Sequence, residues 1–443
     1  MISRLICNIS AIKGKQARAF VHAMDMKDCQ LIAGNKHAAM LKFYADKLDV
    51  IEKVKKVFRD RHVDLLSASG QKLALEDMKN FERGEVEVLI RCSKPDAIGA
   101  VEDKLRGMNV GFNLKSPKIM PWFPLEEADL NLMGSKMLKT EEVLNRDHPE
   151  YTDFEYRERR KIIAANNIGV RMSDPIPEVN YSAEEHQLWG KIYKDVKPLH
   201  QELGCTEYNN AIENLEKEGL FSPNKIPQLE DLSKYLKTTT NWRLKPVNGI
   251  LSQREFLNAL AFRTFCCTQY IRHPAFPEYT PEPDIMHEFL GHIPTFADPK
   301  ICEISQKLGI LSLGAIDDEV RKIGSIYFYT IEFGLCREYG AIKFYGAGPG
   351  GSRREMLYLK DTIKNRRDKI IDLDIINNEL PSTIIVQDLQ PYFYLAESFD
   401  SFLIQLENYS HGVHRPFNLE YNKEKNSFEP DRALLRESYQ SEE

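Results

Sequence analysis

Apolar and polar residues near the N-terminus alternate or cluster in a pattern that predicts a small segment of mixed strands and helices. Some stretches are rich in β-branched or aromatic residues and predict strands, while two others repeat their apolar residues at helical spacing. The elements follow the order β-α-β-β-α-β over about 80 residues, which is the ferredoxin-like arrangement. The predicted strands are residues 37–46, 62–69, 84–92 and 108–114, and the predicted helices are residues 48–61 and 94–106.

Beyond residue 125 the apolar pattern is mostly helical. Residues 182–203 and 252–270 are two long examples, and strand patterns are too few for a large sheet. The sequence Pro-Trp-Phe-Pro at 121–124 interrupts regular structure and marks a domain boundary. The predicted fold class is therefore α+β, with a mainly α-helical domain after the ferredoxin-like segment.

Composition and charge exclude several classes of protein. Of the 443 residues, 42% are hydrophobic and 28% are charged, so the chain is neither fibrous nor disordered overall and is long enough for two or three domains. The net charge of −6 gives no general attraction to nucleic acid or to an anionic membrane. No apolar run approaches the roughly 18 residues that cross a bilayer. We therefore expect no nucleic-acid or membrane partner.

Cysteine usage and the N-terminal sequence bear on location. The eight cysteines include no Cys-x-x-Cys pair, which is typical of reduced thiols rather than of a disulfide scaffold or a cysteine-bound zinc. A cytoplasmic location is expected. The first 24 residues hold four basic residues and no acidic one, as transit peptides do, so organellar import stays open beside a mobile tail.

One histidine pair has a spacing that suggests a metal site. His287 and His292 are five residues apart in the sequence His-Glu-Phe-Leu-Gly-His. On an ideal α-helix, residues five apart point about 140° away from each other, whereas the four-residue spacing of a zinc protease leaves only about 40°. Both imidazoles reach one ion only if the helix ends between them, and Gly291 is expected to provide that break.

Glu332 is the best candidate for a third ligand. It is a single carboxylate among the aromatic and apolar residues 327–334, where a charge is costly unless it is paired or bound to metal. Two imidazoles and one carboxylate leave several coordination positions open, which suits non-haem Fe(II) that activates oxygen. Two alternatives stay open. In one, both histidines are hydrogen-bonded core residues and Glu332 pairs with an arginine; in the other, the site is a zinc hydrolase with Glu288 as general base.

Four stretches of sequence resemble one known family. Residues 280–294 read Thr-Pro-Glu-Pro-Asp-Ile-Met-His-Glu-Phe-Leu-Gly-His-Ile-Pro. Shorter motifs are Cys-Thr-Gln-Tyr-Ile-Arg-His at 267–273, Glu-Phe-Gly-Leu-Cys at 332–336 and Arg-Pro-Phe at 415–417. Together they resemble the pterin-dependent aromatic amino acid hydroxylases, with similarity from residue 122 to residue 421. A match of four motifs in the right order is highly specific.

This resemblance implies a non-haem Fe(II) monooxygenase that uses O2 and a tetrahydropterin, either tetrahydrobiopterin or a close relative, to hydroxylate the ring of an aromatic amino acid. Arg272 matches the family residue that binds the substrate carboxylate, a role that suits the planar fork of guanidinium. Tyr327 is expected to take part in catalysis. The implied metal ligands are His287, His292 and Glu332, the implied substrate-binding residues are Arg272, Thr280, Phe328, Phe333, Ser352 and Val386, and the implied pterin-binding residues are Gly249, Leu251, Ser252, Phe256 and Glu288.

The chain departs from the family pattern at three points. Cys266 stands where relatives have a histidine in the pterin pocket. The sequence Gly-Pro-Gly-Gly at 348–351 lacks a serine that supports one iron ligand in relatives, so other groups are expected to orient that ligand. The leucine-repeat helix that forms tetramers in animal relatives is not matched here. We therefore expect a homo-oligomer, with a dimer favoured over a tetramer.

Two positions bear on which ring is oxidised. Phe328 matches relatives that act on tryptophan, whereas Val386 matches relatives that act on phenylalanine. An apolar pocket separates similar rings by only about 1–3 kcal/mol, so activity on both is physically reasonable. The expected main reaction is L-phenylalanine to L-tyrosine, in phenylalanine catabolism, with L-tryptophan second. A tryptophan 5-hydroxylase stays open as the alternative.

The resemblance also gives the predicted domain organisation. Residues 1–35 form a mobile tail, 36–116 an ACT-type regulatory domain, 117–421 the iron- and pterin-binding catalytic domain, and 422–443 a short oligomerisation segment or tail. The tail and the ACT-type domain are expected to restrict the iron site until phenylalanine binds. A non-enzymatic amino-acid sensor built on the same N-terminal domain is the remaining alternative.

Overall fold

The chain divides into two compact units. One consists of Met1–Glu126 with Arg415–Ser441, and the other of Glu127–His414. The domains at 36–116 and 117–421 were assigned from the sequence. Their bounds differ from those of the two units and remain a prediction. The computed structural model describes residues 8–10, 23–24, 38–45, 54, 56–59, 63–66, 72–73, 84–92, 101, 104, 112–115, 119–134, 149–280, 282–378, 380–382, 384, 388–413, 415–431 and 434–436.

The described residues combine short strands with helices of several kinds. In chain order the strands are β1 (Asn8–Ser10), β2 (Ala23–Met24), β3 (Ala38–Ala45), β4 (Val63–Leu66), β5 (Lys72–Leu73), β6 (Gly84–Cys92), β7 (Phe112–Lys115), β8 (Ile119–Met120), β9 (Arg243–Pro246), β10 (Thr264–Cys267), β11 (Leu335–Glu338), β12 (Ala341–Phe344), β13 (Ile370–Asp372), β14 (Phe393–Ala396), β15 (Leu419–Asn422), β16 (Ser427–Pro430) and β17 (Leu434–Arg436). The α-helices are α1 (Pro149–Thr152), α2 (Phe154–Ala165), α3 (Ala183–Leu203), α4 (Thr206–Lys217), α5 (Leu229–Thr239), α6 (Gln253–Ala261), α7 (Ile293–Phe296), α8 (Pro299–Ser312), α9 (Asp317–Tyr327), α10 (Ala347–Gly350), α11 (Arg353–Asn365) and α12 (Phe399–Ser410). There are also π-helical segments, π1 (Met286–His292) and π2 (Phe328–Glu332), and 3₁₀ segments, Glu127–Leu132 and Arg367–Lys369.

An antiparallel sheet lies in the first unit. Its two inner strands, β3 and β6, pair over eight residues, from Ala38 opposite Arg91 to Ala45 opposite Gly84. The outer strands extend the order to β5-β4-β6-β3-β7, and β1 also pairs with β6. The four strands predicted from sequence are present in this sheet. β6 has its predicted limits, β4 is shorter than predicted, and β7 is shifted toward the C-terminus. Alternation along the chain was sufficient to find them.

The two helices predicted for this unit are described only at a few residues. Val54 and residues 56–59 are helical, as are Val101 and Lys104. Val54 and Val101 are fully buried, at positions that the apolar periodicity assigned to the inner face. The remainder of both predicted helices lies outside the described residues.

Both ends of the chain contribute to smaller pairings in the first unit. β2 and β8 each pair in parallel with β17, and β15 forms an antiparallel pair with β16. Phe123 and Phe417 stack with ring centroids 5.6 Å apart, and the Phe428 amide donates to the Leu125 carbonyl at 2.7 Å. Arg415–Ser441 therefore belong to this unit, and an oligomerisation role for 422–443 stays a prediction.

Helix starts in the second unit are fixed by polar caps. α3 follows Ser182, whose hydroxyl accepts a hydrogen bond from the Glu185 amide while the Glu185 carboxylate accepts one from the Ser182 amide. This reciprocal pair satisfies two amides that the helix leaves free. Trp189 and Val196 lie on the fully buried face of α3. The helix predicted at 182–203 is thus confirmed, with Ser182 as its cap.

The helix predicted at 252–270 is wrong in its second half. α6 ends at Ala261, Arg263 has a positive φ of 53°, and residues 264–267 form β10, which pairs in parallel with β9. All four β10 residues are buried, so burial against β9 outweighs the local helical periodicity. The chain after β10 runs as a loop to π1, and this loop carries Arg272 and Thr280.

The second unit is helix-rich with small sheets, an α+β arrangement in agreement with the predicted class. Its four-stranded sheet has the order β12-β11-β14-β13, and Leu335 lies opposite Leu395 from a distant part of the chain. α6 packs closely on α8 at Gly309, where a Cβ would lie 2.2 Å from the Ala261 nitrogen. No helix formed by the described residues has both the length and the apolar character required to span a membrane.

Candidate active site

The π-helical backbone of π1 explains how His287 and His292 reach one point. Hydrogen bonds in a π-helix join residues i and i+5, so residues five apart lie one turn apart on the same face. The two Nε2 atoms are 3.0 Å apart. The predicted helix end at Gly291 is therefore wrong, because π1 includes Gly291 and α7 follows at Ile293. Gly291 instead permits close packing, since a Cβ there would lie 2.4 Å from the Ala347 oxygen.

A second π-helical turn places Glu332 against the two histidines. π2 follows α9 directly and ends at Glu332. The Glu332 Oε1 atom lies 2.9 Å from His287 Nε2, and Oε2 lies 3.2 Å from His292 Nε2. Within the described residues the ion-pair partners of Glu332 are these two histidines, so the alternative in which it pairs with an arginine is not supported. Two nitrogen donors and one oxygen donor form a group that can hold a metal ion.

Burial and mutual attraction shift the three pKa values. Burial raises the pKa of Glu332, but the neighbouring His292 and His287 outweigh it and hold that pKa well below its usual range. Burial lowers the pKa of His287, yet the Glu332 charge leaves it raised overall. Burial dominates at His292 and lowers its pKa. The group therefore includes an ionised carboxylate, the form in which it binds a cation.

The three groups open into a cavity of about 470 Å³, within the range of small-molecule sites. Most residues predicted for substrate, pterin and metal line this one cavity, although they come from five separate stretches of sequence. The predicted residues among its lining are Gly249, Leu251, Phe256, Arg272, Thr280, His287, Glu288, His292, Tyr327, Phe328, Glu332, Phe333 and Ser352.

Two predicted residues are not among that lining. Ser252 is the N-terminal cap of α6, where its hydroxyl accepts from the Glu255 amide at 3.2 Å and donates to the Glu255 carboxylate at 3.1 Å. These bonds give Ser252 a structural role at the edge of the predicted pterin pocket. Val386 lies outside the described residues, although nearby Ile384 lines the cavity.

Arg272 is held by a buried ion pair. Its Nε and Nη2 donate to the Asp284 carboxylate at 3.0 and 2.7 Å, and the two side chains are 2% and 1% exposed. Asp284 also accepts from the His287 amide at 3.2 Å, so one carboxylate connects Arg272 to the start of the histidine segment. Such a bidentate pair fixes the guanidinium plane. Nη2 donates in addition to the Gly351 carbonyl at 3.1 Å.

The hydroxyls of Thr280 and Ser352 are engaged with the protein. Thr280 Oγ1 donates to the buried Glu150 carboxylate at 3.0 Å, and that carboxylate also accepts from the His273 amide at 3.1 Å. Ser352 caps α11 and donates to the Glu278 carbonyl at 3.0 Å. Both residues thus fix the loop that carries Arg272, in addition to lining the cavity.

Aromatic rings and one carboxylate define the predicted pterin side. Phe256 and Tyr327 contact edge to face with centroids 4.9 Å apart. The Tyr327 hydroxyl is buried without a hydrogen-bond partner among the described residues, and burial raises its pKa. Glu288 accepts from Thr268 N at 3.1 Å and Thr268 Oγ1 at 3.2 Å, while burial raises its pKa to about 7. Cys266, the departure from the family histidine, lines the same side.

One glycine of the segment 348–351, which lacks the serine of relatives, sits directly against a metal-ligand candidate. A Cβ on Gly351 would lie 2.5 Å from His287 Cα and 3.0 Å from the Met286 oxygen. Backbone packing at this distance leaves no room for any side chain. The orientation of His287 therefore depends on the absence of a side chain at Gly351 and on the Asp284 hydrogen bond.

Gly351→Ala is expected to weaken metal binding and to lower the unfolding free energy by about 1–3 kcal/mol, the usual effect of overpacking. The measurements are bound iron per chain and thermal unfolding. Gly412→Ala is the matched control, because a Cβ there meets nothing closer than the Tyr409 oxygen at 3.4 Å. Equal iron content and stability in both variants would contradict this account of Gly351.

Sequence reasoning missed several polar residues of the site, and three of them illustrate why. Asp284 pairs with Arg272, and Tyr279 and Glu355 line the cavity. Asp284 lies within the recognised motif at 280–294, so its position next to the histidines was an available signal. Glu355 follows two arginines in a run that looks solvent-exposed, and only the fold reveals its burial.

Comparison with known proteins agrees with this geometry. The family described as biopterin-dependent aromatic amino acid hydroxylase matches residues 121–434. Phenylalanine-4-hydroxylase of Homo sapiens is 42% identical over 308 residues, which is 70% of this chain and 67% of that protein. Phenylalanine-4-hydroxylase of Dictyostelium discoideum is 41% identical over 309 residues, 70% of this chain and 69% of that protein. Tryptophan 5-hydroxylase of Xenopus laevis is 34% identical over 382 residues, 84% of this chain and 77% of that protein.

The chain belongs to the biopterin-dependent aromatic amino acid hydroxylases. It is an aromatic amino acid hydroxylase that depends on a pterin, and the family predicted from the four motifs is confirmed. This membership sets aside the zinc hydrolase and the non-enzymatic sensor as descriptions of the chain.

Proposed function

We propose that the chain is a tetrahydropterin- and O2-dependent non-haem Fe(II) monooxygenase that converts L-phenylalanine to L-tyrosine. The observation that carries this proposal is the convergence of His287, His292 and Glu332 at 2.9–3.2 Å within one cavity. This donor set fits Fe(II), because two imidazole nitrogens and a carboxylate on one side leave positions for other ligands. Bound iron and tetrahydropterin supply oxygen activation and reducing electrons, and the protein supplies position and exclusion of water.

The substrate end of the cavity is assigned to Arg272. Its guanidinium is fixed by Asp284 and keeps donors beyond those that Asp284 accepts, so it can receive the carboxylate of an amino acid in a defined direction. Phe328 and Phe333, with ring centroids 4.9 Å apart, give the aromatic side chain of the substrate an apolar wall. These contacts orient the ring toward the metal ligands.

The pterin end is assigned to the side formed by Gly249, Leu251 and Phe256. Phe256 is held by an edge-to-face contact with Tyr327 and lines the cavity, where its ring can stack on a flat cofactor. Glu288 is held by Thr268 and turned to the same side of the cavity, where it can accept hydrogen bonds from a pterin directly or through water. Ser252 contributes indirectly, by starting the helix that carries Phe256.

Phenylalanine is proposed as the first substrate because phenylalanine-4-hydroxylases share about 40% identity with the chain, against 34% for the tryptophan enzyme. Val386 supports the same choice from sequence. Phe328 favours tryptophan hydroxylation as a second activity, and the cavity has room for either ring.

The deciding experiment supplies the purified full chain with Fe(II), tetrahydrobiopterin, O2 and equal amounts of L-phenylalanine and L-tryptophan. Mass spectrometry is expected to find tyrosine as the main product and hydroxytryptophan as a minor one, with pterin oxidation coupled to both. Product formation without pterin would overturn the proposed pterin dependence. Hydroxytryptophan in excess over tyrosine would overturn phenylalanine as the main substrate.

We further propose that residues 36–116 are an ACT-type regulatory domain, that the enzyme is a homodimer and that it acts in the cytoplasm. The sheet order β4-β6-β3-β7, with the first and third predicted strands innermost, supports the ferredoxin-like arrangement on which an ACT domain is built. The mixed composition without Cys-x-x-Cys pairs supports a reducing location.

Deletion of residues 1–116 is expected to raise the basal rate and to remove activation by preincubation with phenylalanine, because the deleted part is proposed to restrict the site. The measurement is the initial rate of tyrosine formation with and without preincubation. A truncated chain that retains both the basal rate and the activation of the full chain would refute this regulatory role.

A further inference from the structure

Glu355 is a buried carboxylate without a hydrogen-bond partner among the residues that the structure describes. The residue is 1% exposed, and both carboxylate oxygens are buried without a hydrogen-bond partner among the described residues. Buried polar groups are nearly always hydrogen-bonded, because an unpaired one costs free energy that folding does not recover. An unsatisfied buried carboxylate on a residue that lines a cavity is the pattern expected of a group that awaits a ligand.

The fold directs this carboxylate to the substrate end of the cavity. Glu355 is the third residue of α11, and its amide donates to the hydroxyl of the capping residue Ser352 at 3.2 Å. Its side chain lines the same cavity as Arg272 and Thr280. Asp284 already neutralises Arg272, so Glu355 adds a second acidic group to the surroundings of this cavity.

We propose that the Glu355 carboxylate binds the ammonium group of the amino acid substrate while Arg272 receives its carboxylate. This inference rests on the proposed function and extends it to the basis of selectivity for α-amino acids. A zwitterion needs one cationic and one anionic partner at one end of the pocket, and these two residues supply them. An aryl acid that lacks the amino group leaves Glu355 unsatisfied and is therefore rejected, since a site built for a polar group discriminates strongly against an analogue without it.

Protonation accounts for how the empty site tolerates Glu355. Burial raises its pKa to about 8, Arg354 opposes this shift, and Asp388 adds to it. Tyr279, which lines the same cavity, is a further titratable group near Glu355, since burial and the Glu355 charge raise its pKa while Arg354 and Arg272 lower it. At pH 7 the empty site therefore holds mostly the neutral acid, and binding of an ammonium favours the carboxylate and releases a proton to solvent. Substrate affinity should increase as the pH rises from 6 toward 8.

The test compares the full-length, iron-loaded wild type with Glu355→Gln. The variant keeps the side-chain shape and loses the charge, so the KM for L-phenylalanine should rise about 10- to 100-fold, the usual effect of losing a charged hydrogen-bond partner. The inhibition constant of 3-phenylpropionate, which lacks the amino group, should be unchanged, and so should the KM for tetrahydrobiopterin. The increase in substrate affinity between pH 6 and pH 8 should be smaller than in the wild type. Glu303→Gln, on the exposed side of α8, is the control.

The outcomes separate this inference from the proposed function. Wild-type turnover of phenylalanine or tryptophan, measured first, decides the function. If the wild type is active and Glu355→Gln has the wild-type KM, or weakens 3-phenylpropionate as much as phenylalanine, the assignment is wrong. Should the variant fail to fold, calorimetry of the wild type at pH 7 decides. Proton release on binding phenylalanine but not 3-phenylpropionate supports the assignment, and equal release for both overturns it.

Discussion

Glu332→Gln is expected to remove iron from the protein and to abolish ring hydroxylation. The amide keeps the size of the side chain but replaces a charged oxygen donor with a neutral group, and the two histidines alone hold Fe(II) weakly. Loss of a supporting hydrogen bond around a metal usually costs 10- to 100-fold in affinity, so loss of a ligand should exceed about 100-fold. His287→Ala should have the same effect from the nitrogen side. Iron content after gel filtration and the rate of tyrosine formation measure both.

Matched controls separate a metal role from a general effect on folding. Glu303→Gln changes the same kind of side chain on the surface of α8, and His411→Ala removes an exposed imidazole after α12. Both should retain iron and activity. Because the two imidazoles stabilise the ionised carboxylate, Glu332→Gln also removes an ion pair, so thermal unfolding of its metal-free form is compared with that of the metal-free wild type. A variant that keeps stoichiometric iron and full activity would exclude Glu332 as a ligand.

Local sequence was sufficient for elements whose stability is local. The strand at 84–92 and the helix at 182–203 were predicted close to their observed limits, because alternation and helical periodicity are read within a few residues. The second half of the helix at 252–270 failed because β10 gains its stability from β9, which lies about 20 residues earlier in the chain. A parallel partner at that separation leaves no signal in the window where periodicity is measured.

In the site, too, local features could be predicted from the sequence and tertiary features could not. The His287 and His292 pair and the lone Glu332 were recognisable as donors, but the π-helical turns that align them were not, since a 3.6-residue period carries no information about i to i+5 hydrogen bonds. The sequence reasoning required a break at Gly291 because it allowed only an α-helix. Extra turns of this kind occur often at functional sites, and here they bring residues five apart to a common ligand.

The burial of charged side chains was the other feature that could not be predicted from the sequence. Asp284 and Glu355 look alike in the chain, as acidic residues flanked by polar or proline-rich segments. In the fold both are buried, but Asp284 is paired with Arg272 while Glu355 faces the cavity without a partner among the described residues. Only tertiary contacts decide between a structural ion pair and a ligand-binding group.

Arg272→Ala is expected to weaken both substrate binding and folding. Removing the guanidinium leaves the buried Asp284 without its charge partner, which costs about 3–5 kcal/mol of stability in pairs of this kind. The KM for L-phenylalanine should rise at least about tenfold, because the substrate carboxylate loses its charged hydrogen-bond donor. The KM for tetrahydrobiopterin should stay near the wild-type value. Steady-state kinetics and thermal unfolding measure these effects, with Arg321→Ala, which breaks an exposed pair with Asp318, as control.

The double variant Arg272→Ala with Asp284→Ala distinguishes the two roles of the arginine. Removing both charges leaves no uncompensated carboxylate, so part of the lost stability should return, while the KM for phenylalanine should stay high because no cation faces the substrate. Asp284→Ala alone keeps the Arg272 guanidinium but no longer fixes its orientation. The KM of this variant for phenylalanine should lie between those of the wild type and Arg272→Ala. If the double variant recovered stability and substrate affinity together, Arg272 would act only through folding. Substrate recognition would then have to depend on other residues of the cavity.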